Sequence, residues 1–403
     1  MRLDVWLDGT LVGVLERTRG QLRFTHGAGA FALGVGRPVV SVSMPVRRAP
    51  YVGAVVAAFF DGLLPEGDAL RIIAYDRGVA RDDALALLDA LGRDCAGALQ
   101  LLPAGAAPSQ PASAMEVLGE HEVAERLRRL ATFPLGVDER VRISLAGVQE
   151  KLVLAQAGDG WALPLDGTPS THILKPAHRL LPAALENEAL CLAIARECGL
   201  PVAAATIETF ADRQALVVER YDRTGDVPAR RIHQEDMCQA TGRSPRAKYE
   251  EDGGPGLRDC ARLIVQWGDE ADLLRLLDLT TLNVAIGNAD AHGKNISLMH
   301  TDGGRIQLAP AYDLLCTRLY EDADRTLGMF VNGVCDIDKV SATDILAEAL
   351  SWGIPEETAA DRITQMLDRL PDAIDRAAAS IDPPRDIVEL IQRRVTAMGA
   401  VVG

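Results

Sequence analysis

No two of the seven cysteines, at 95, 191, 198, 238, 260, 316 and 335, stand in a CxxC pair, and their number is odd. That argues against a disulfide framework and against a cysteine zinc site, and leaves reduced thiols of a cytosolic protein as the expectation. The seven histidines are scattered without zinc spacing. Positive charge is in short supply as well. The formal net charge of −15 argues against broad non-specific binding to nucleic acid, which needs Lys and Arg for its phosphate contacts, and leaves only a local basic face open. No apolar run approaches the roughly 20 residues of a membrane helix. The opening MRLDVWLDGT reaches a carboxylate at Asp4 without the apolar core of a signal peptide, so a cytoplasmic location with no membrane partner is expected. What is present is ordinary globular material, 48% hydrophobic and 25% charged. At 403 residues the chain is expected to hold two or three domains.

The amino-terminal end reads as β structure. Leu3, Val5 and Leu7 alternate, Asp8-Gly9 is a hairpin signal, and Leu11 to Leu15 returns. Helical spacing follows in AVVAAFFDGLLPEGDALRIIAY and DDALALLDALGRDCAG, which makes residues 1–102 a small α+β unit. PAGAAPSQPASA, 103–114, is the best linker candidate. Residues 115–225 read as strands joined by turns, interrupted by one helix in ALENEALCLAIARECGLPV that ends at Gly199 with Pro201 just beyond. From about 234 to 403 the pattern is mainly helical. Leu273, Leu276, Leu277, Leu282, Val284 and Ile286 mark a helix apolar on most sides, and the stripe Ile363, Met366, Leu367 and Leu370 is interrupted by Pro371. No convincing repeat is found. A β-rich lobe followed by a larger helical lobe, α+β overall, is the coarse picture.

The chemistry concentrates in LNVAIGNADAHGKNISLM, 282–299, where a buried-looking helix gives way to Asn288, Asp290, His292, Lys294 and Asn295. Asp290 and Asn295 have the D-x-x-x-x-N spacing by which a kinase places a carboxylate at the acceptor hydroxyl and an amide oxygen on Mg²⁺. Asp313 in LAPAYDLL offers a second carboxylate for the same metal, which takes few, hard oxygen ligands from protein. In isolation that spacing is common, and a turn capped by the two side chains is then the better account of it. Lys175 in THILKP closes a β-branched strand, where a kinase keeps the lysine that pairs with phosphates; a solvated strand-end lysine is the plainer account. Glu186 or Glu188 on the following helix suits a partner for that lysine, or an ordinary exposed charge. SLAGVQEK, 144–151, is either a loop that lays N–H groups over phosphates or a hairpin. VVERYD ends a strand where a kinase has its hinge. Order and spacing together carry the reading.

With these pieces in hand the sequence resembles the HipA family of bacterial serine/threonine kinases, the toxin halves of toxin–antitoxin pairs. ISLAGVQEKLVL, THILKP, ENEALCLAIARECGL, VVERYDR, QEDMCQATG, KYEEDGGPG, NADAHGKN and APAYDLL carry the resemblance, with FFDGLLPEG and GRDCAGALQLLP in the amino-terminal unit. It implies a two-lobed protein-kinase-like fold, with an added amino-terminal α+β subdomain. It implies Asp290 as catalytic base and Asn295 and Asp313 as Mg²⁺ ligands. Lys175 would hold the phosphates of ATP, with Ala146, Gly147, Val148, Gln149, Glu150 and Lys151 covering them. The hinge Glu219, Arg220 and Tyr221 would meet adenine, and His292, Gly293, Lys294 and Tyr312 would line the nucleotide pocket. Ser144 would be the site of an inactivating autophosphorylation. The resemblance further implies a protein substrate such as an aminoacyl-tRNA synthetase, the glutamyl enzyme foremost. It also implies a small helix-turn-helix antitoxin of the HipB type, through which the operator DNA is mainly reached. A small-molecule phosphotransferase shares the loop chemistry, but the extra amino-terminal unit argues against it. A degenerate kinase kept as a co-repressor scaffold would have no need of Lys175, Asp290, Asn295 and Asp313 together.

Overall fold

The computed structural model describes residues 1–108, 114–136, 142–147, 149–178, 181–225, 229–301 and 304–399. These fall into two compact units that are discontinuous in sequence. The first comprises Met1–Pro176, Glu208–Pro245 and Met299–Gly304, and the second Ala177–Ile207, Arg246–Leu298 and Arg305–Gly403.

In the first unit the expected hairpin forms. Arg2–Leu7 pairs antiparallel with Thr10–Thr18 across Asp8 and Gly9, whose positive φ values of 47° and 72° suit a two-residue turn. Gln21–His26 and Tyr51–Val52 extend this sheet on one side and Leu99–Pro103 on the other. A second antiparallel sheet runs Arg213–Glu219, His172–Pro176, Leu152–Ala157, Gly160–Pro164 and Met115–Leu118. One apolar core serves both: Leu3, Val5, Phe24, Phe59, Phe60 and Leu88 from the amino-terminal residues are continuous with Leu152, Leu154, Leu174 and Val217. The two-stranded parallel bridge of Asp94–Cys95 with Ile143–Ser144 ties the parts together.

Part of this unit's interior charge is paired in a buried ion cluster. Asp94 accepts from Arg223 at 2.9 Å, from Arg231 at 3.1 Å and from the Ser170 hydroxyl at 2.5 Å, while Arg220 clasps Asp222. Burial pushes the Asp94 carboxyl up, but Arg223, Arg231 and Arg220 outweigh it and hold the group well below the usual carboxylate range. Each arginine is matched to a carboxylate, which is the condition under which charge is tolerated in a core.

Two histidines in the same unit make its stability pH-dependent. His26 packs against Phe24 and Tyr51, and neither ring nitrogen has a hydrogen-bond partner among the described residues. Burial, then the Arg47 charge, lowers it to about 4. Burial, then His300, lowers His233 to about 3. Both stay neutral in the fold after the unfolded chain has begun to protonate near pH 6.5, so protons bind the unfolded state first. Stability is therefore full above pH 6.5 and falls as pH drops from there towards 4 and 3, each histidine contributing up to about 1.4 kcal/mol per pH unit. Urea midpoints measured from pH 7 to pH 5 should fall more steeply for wild type than for a His26→Phe, His233→Gln double variant. An identical slope would refute this.

The second unit is organised about Glu270–Ile286, a helix whose residues from Leu276 onward are all buried. Leu257–Trp267, Ala342–Ser351, Glu356–Ile381 and Arg385–Gly399 surround it. Two expectations need correction here. Pro371 does not end its helix: Glu356–Ile381 runs through it, because the buried stripe resumes with Ala373, Ile374 and Ala377 and their packing outweighs one missing hydrogen bond. The domain division also differs from a break near 225. Ala184–Glu197, assigned by sequence to the β-rich lobe, packs along Glu356–Ile381, with Glu197 bonded to Arg376 at 2.6 Å, so it belongs with the carboxy-terminal helices. The region after 234 is also less purely helical than expected, with strands at His233–Asp236, Ser297–Thr301, Arg305–Leu308, Thr326–Val331 and Val334–Asp336.

Candidate active site

Helix Glu270–Ile286 stops at Gly287, whose φ of +80° is a left-handed C′ conformation, and hands the chain to the polar loop. The loop is held by its own side chains. Asn288 donates to Asn283 Oδ1 at 2.9 Å and accepts the Asp290 N–H at 3.2 Å. Thr317 Oγ1 accepts the Ala289 N–H at 2.9 Å and donates to Gly287 O at 3.1 Å. Gly328 lies flat beneath the loop. Its N–H reaches Ala289 O at 2.7 Å, and a Cβ there would meet the Ala291 backbone at 2.8 Å.

Held this way, Asp290 is exposed while His292, Lys294 and Asn295 are buried. Tyr249 donates its hydroxyl to Asp290 Oδ1 at 2.8 Å. Burial, then the Lys248 charge, lowers the pKa of His292, opposed by Asp290 and Asp313. A neutral imidazole fits its contact, since Nδ1 accepts the Lys294 N–H at 3.3 Å. Asn295 donates its amide nitrogen to Asp313 Oδ2 at 3.0 Å. The amide oxygen of Asn295 is therefore its remaining polar atom, a hard ligand set beside a carboxylate.

Asp313 has φ +57°, a left-handed conformation that Asp tolerates better than most residues. The segment before it is pinned. Ala311 donates its N–H to Pro201 O and accepts from the Ala203 N–H, both at 2.9 Å. Tyr312 donates to Lys294 O at 2.7 Å, so the two halves of the site are stitched directly together. No group of three or more His, Cys, Asp or Glu able to hold a metal occurs among the described residues. Two oxygen-bearing side chains suit an ion such as Mg²⁺, which keeps most of its ligands as water and phosphate.

The first unit carries the other expected residues. Lys175, on His172–Pro176 opposite Leu216, is buried rather than solvated. Glu219 faces His172 at the exposed end of the neighbouring strand. Gly147 and Lys151 turn back on their own loop: Lys151 Nζ donates to Ala146 O at 3.0 Å, and the Gly147 N–H donates to Glu66 Oε1 at 3.1 Å. In this conformation that N–H is held by a carboxylate instead of being offered to a phosphate. Gln149 and Glu150 continue the loop, and Val148 lies outside the described residues. Ser144 is not a hairpin serine bonded to nearby backbone. It is wholly buried, and its hydroxyl donates to the distant Leu63 carbonyl at 2.6 Å. Arg220 has its guanidinium on Asp222 and Ser170 and its N–H on Thr171 O, so it braces the strand end from within. Tyr221 donates to Gln234. In the second unit Glu188 is buried, not an ordinary exposed helix charge, whereas Glu186 is half-buried.

Sequence reasoning missed Tyr249, Glu66, Thr317 and Gly328. Tyr249 stood in KYEEDGGPG and Glu66 in FFDGLLPEG, both already singled out, but neither stretch showed its contact. The others act through contacts dozens of residues away, which spacing does not reveal.

The sequence profile of the HipA N-terminal domain matches residues 3–102, and that of the HipA-like C-terminal domain matches residues 143–374. The chain is 38% identical to the putative kinase Y4mE of Sinorhizobium fredii over 387 residues, 93% of this chain and 91% of the relative. It is 31% identical to the serine/threonine-protein kinase toxin HipA of Shewanella oneidensis, over 81% of this chain and 78% of that one. Among solved structures, the complex of the Shewanella oneidensis MR-1 toxin–antitoxin system HipA and HipB with its operator DNA superposes with a TM-score of 0.84. That match has 27% identity and covers 99% of this chain and 96% of the other.

Proposed function

Since the chain belongs to the HipA family, with its α+β kinase-like fold, we propose that it is an ATP- and Mg²⁺-dependent serine/threonine kinase acting as the toxin of a toxin–antitoxin pair. The observation that carries this reading is the Asn295–Asp313 contact on a framework that also presents Asp290. Asp290 orients the acceptor hydroxyl and takes its proton. The hydroxyl oxygen then bonds to the γ-phosphorus as the bond to the bridging oxygen of ADP breaks. Asn295 Oδ1 and the Asp313 carboxylate would hold the metal, which would supply charge neutralisation to the phosphates. Lys175 would add a cation to the same phosphates, and Glu219 and Tyr221 would contact adenine.

By the same family membership we assign the partner as a HipB-type antitoxin, since the structural relative is a HipA complex with HipB and operator DNA. Co-expression with a neighbouring helix-turn-helix protein should relieve growth arrest and yield a stable complex; lack of association would refute the pairing. An aminoacyl-tRNA synthetase, the glutamyl enzyme foremost, is the proposed substrate. Phosphoproteomics after induction tests it by the appearance, or not, of a phosphorylated synthetase.

Ser144 is proposed as the self-inactivating site. Phosphate there adds roughly −1.5 to −2 charges and needs solvent. The Ser144 hydroxyl is buried on Leu63 O, beside the bridge to Cys95, so the segment must leave that position to be modified or to stay modified. Loss of ATP binding should accompany the phosphate. Peptide mapping after incubation with ATP and Mg²⁺ should find it in wild type and not in Ser144→Ala or Asp290→Asn. A phosphorylated form that binds ATP like the unmodified chain would end the switch idea.

A further inference from the structure

The stretch KYEEDGGPG, Lys248 to Gly256, forms a bracket against the loop of Asp290. Gly293 donates its N–H to Lys248 O at 3.0 Å, and the Tyr249 ring stands edge-on to His292 with centroids 5.0 Å apart. The bracket is itself fixed. Glu250 accepts the Phe330 N–H at 2.7 Å, and Gly254 donates its N–H to Tyr249 O at 2.8 Å. From this footing the Tyr249 hydroxyl reaches Asp290 Oδ1 at 2.8 Å and is the one side-chain donor to that carboxylate among the described residues.

We propose that Tyr249 is a positioning residue of the kinase: its hydroxyl holds one oxygen of Asp290 so that the other is presented to the acceptor. The proposal rests on the kinase reading above. A carboxylate on an exposed loop rotates about two side-chain torsions, and a donor on a braced ring selects one orientation without adding charge. The neighbouring titratable groups are His292 and Lys248, with Asp313 also acting on His292. The His292 N–H goes to the Asp290 backbone carbonyl at 2.9 Å and not to the carboxylate.

The test compares wild type, Tyr249→Phe and a chain carrying 3-fluorotyrosine at 249. Transfer from γ-labelled ATP with Mg²⁺ into the proteins of a bacterial extract is followed at pH 7, alongside KM for ATP. Phe keeps the ring on His292. It should lower kcat about tenfold. KM for ATP should stay put. Fluorotyrosine, a better donor of equal shape, should keep kcat at or above the wild-type value, and it decides the matter if the Phe variant fails to fold. An unaltered or faster Tyr249→Phe, or a fluorotyrosine chain that loses kcat about tenfold, overturns the assignment and leaves the kinase reading standing. No transfer by wild type overturns both.

Discussion

Asp290→Asn is expected to lower phosphoryl transfer by about 10²–10⁴-fold, the usual contribution of a positioned general base, with ATP bound as tightly as before. The substitution is close to isosteric. Asn can still accept the Tyr249 hydroxyl through its amide oxygen, and the loop's supports at Asn283, Thr317 and Gly328 do not pass through the carboxylate. What it removes is the negative charge that, in the role proposed for Asp290, would orient the acceptor and accept its proton. Growth after induction is the cellular readout, and the variant should not arrest cells. If it does, toxicity comes from something other than catalysis, and the co-repressor scaffold regains its place.

The second large effect is expected at Asp313. In Asp313→Asn, Mg²⁺ should no longer strengthen ATP binding, because two carboxamides make poor ligands where a carboxylate and an amide stood. The triphosphate would then face the site without its bridging cation. Asn is the variant of choice because it tolerates the left-handed φ of +57°. Ala there adds a backbone cost of about 1–2 kcal/mol and confuses metal loss with strain. Calorimetric titration with and without Mg²⁺ should separate wild type from the variant. Equal ATP affinity with and without metal in both proteins would remove Asp313 as a ligand.

The parts of this protein that were legible in its sequence are those with a local cause. Asp8-Gly9 announced a hairpin because two positive φ values are needed there, and the abrupt loss of the apolar pattern after Ile286 announced a helix end. The D-x-x-x-x-N spacing was legible because one loop carries both residues, and Asp313 because a short strand precedes it. What was not legible depends on distant partners. Pro371 read as a helix break, since its cost is local while the packing of Ile374 and Ala377 that overrides it is not. Ala184–Glu197 read as part of the β-rich lobe by its place in the chain, although its apolar faces pack along Glu356–Ile381. Arg220 read as a hinge residue, and only the fold shows its guanidinium turned to Asp222. SLAGVQEK read as a phosphate loop or a hairpin, whereas the Ser144 hydroxyl is buried on Leu63 O, 81 positions away.

The most direct measurement of the central claim is label transfer from γ-labelled ATP by the purified chain, with Mg²⁺, with chelator, and in Asp290→Asn. The account predicts labelled protein for wild type with Mg²⁺, and loss of that label both when the metal is removed and when Asp290 is replaced. Undiminished labelling in Asp290→Asn, or a wild-type chain that binds ATP and Mg²⁺ yet labels nothing even in a bacterial extract, would contradict it.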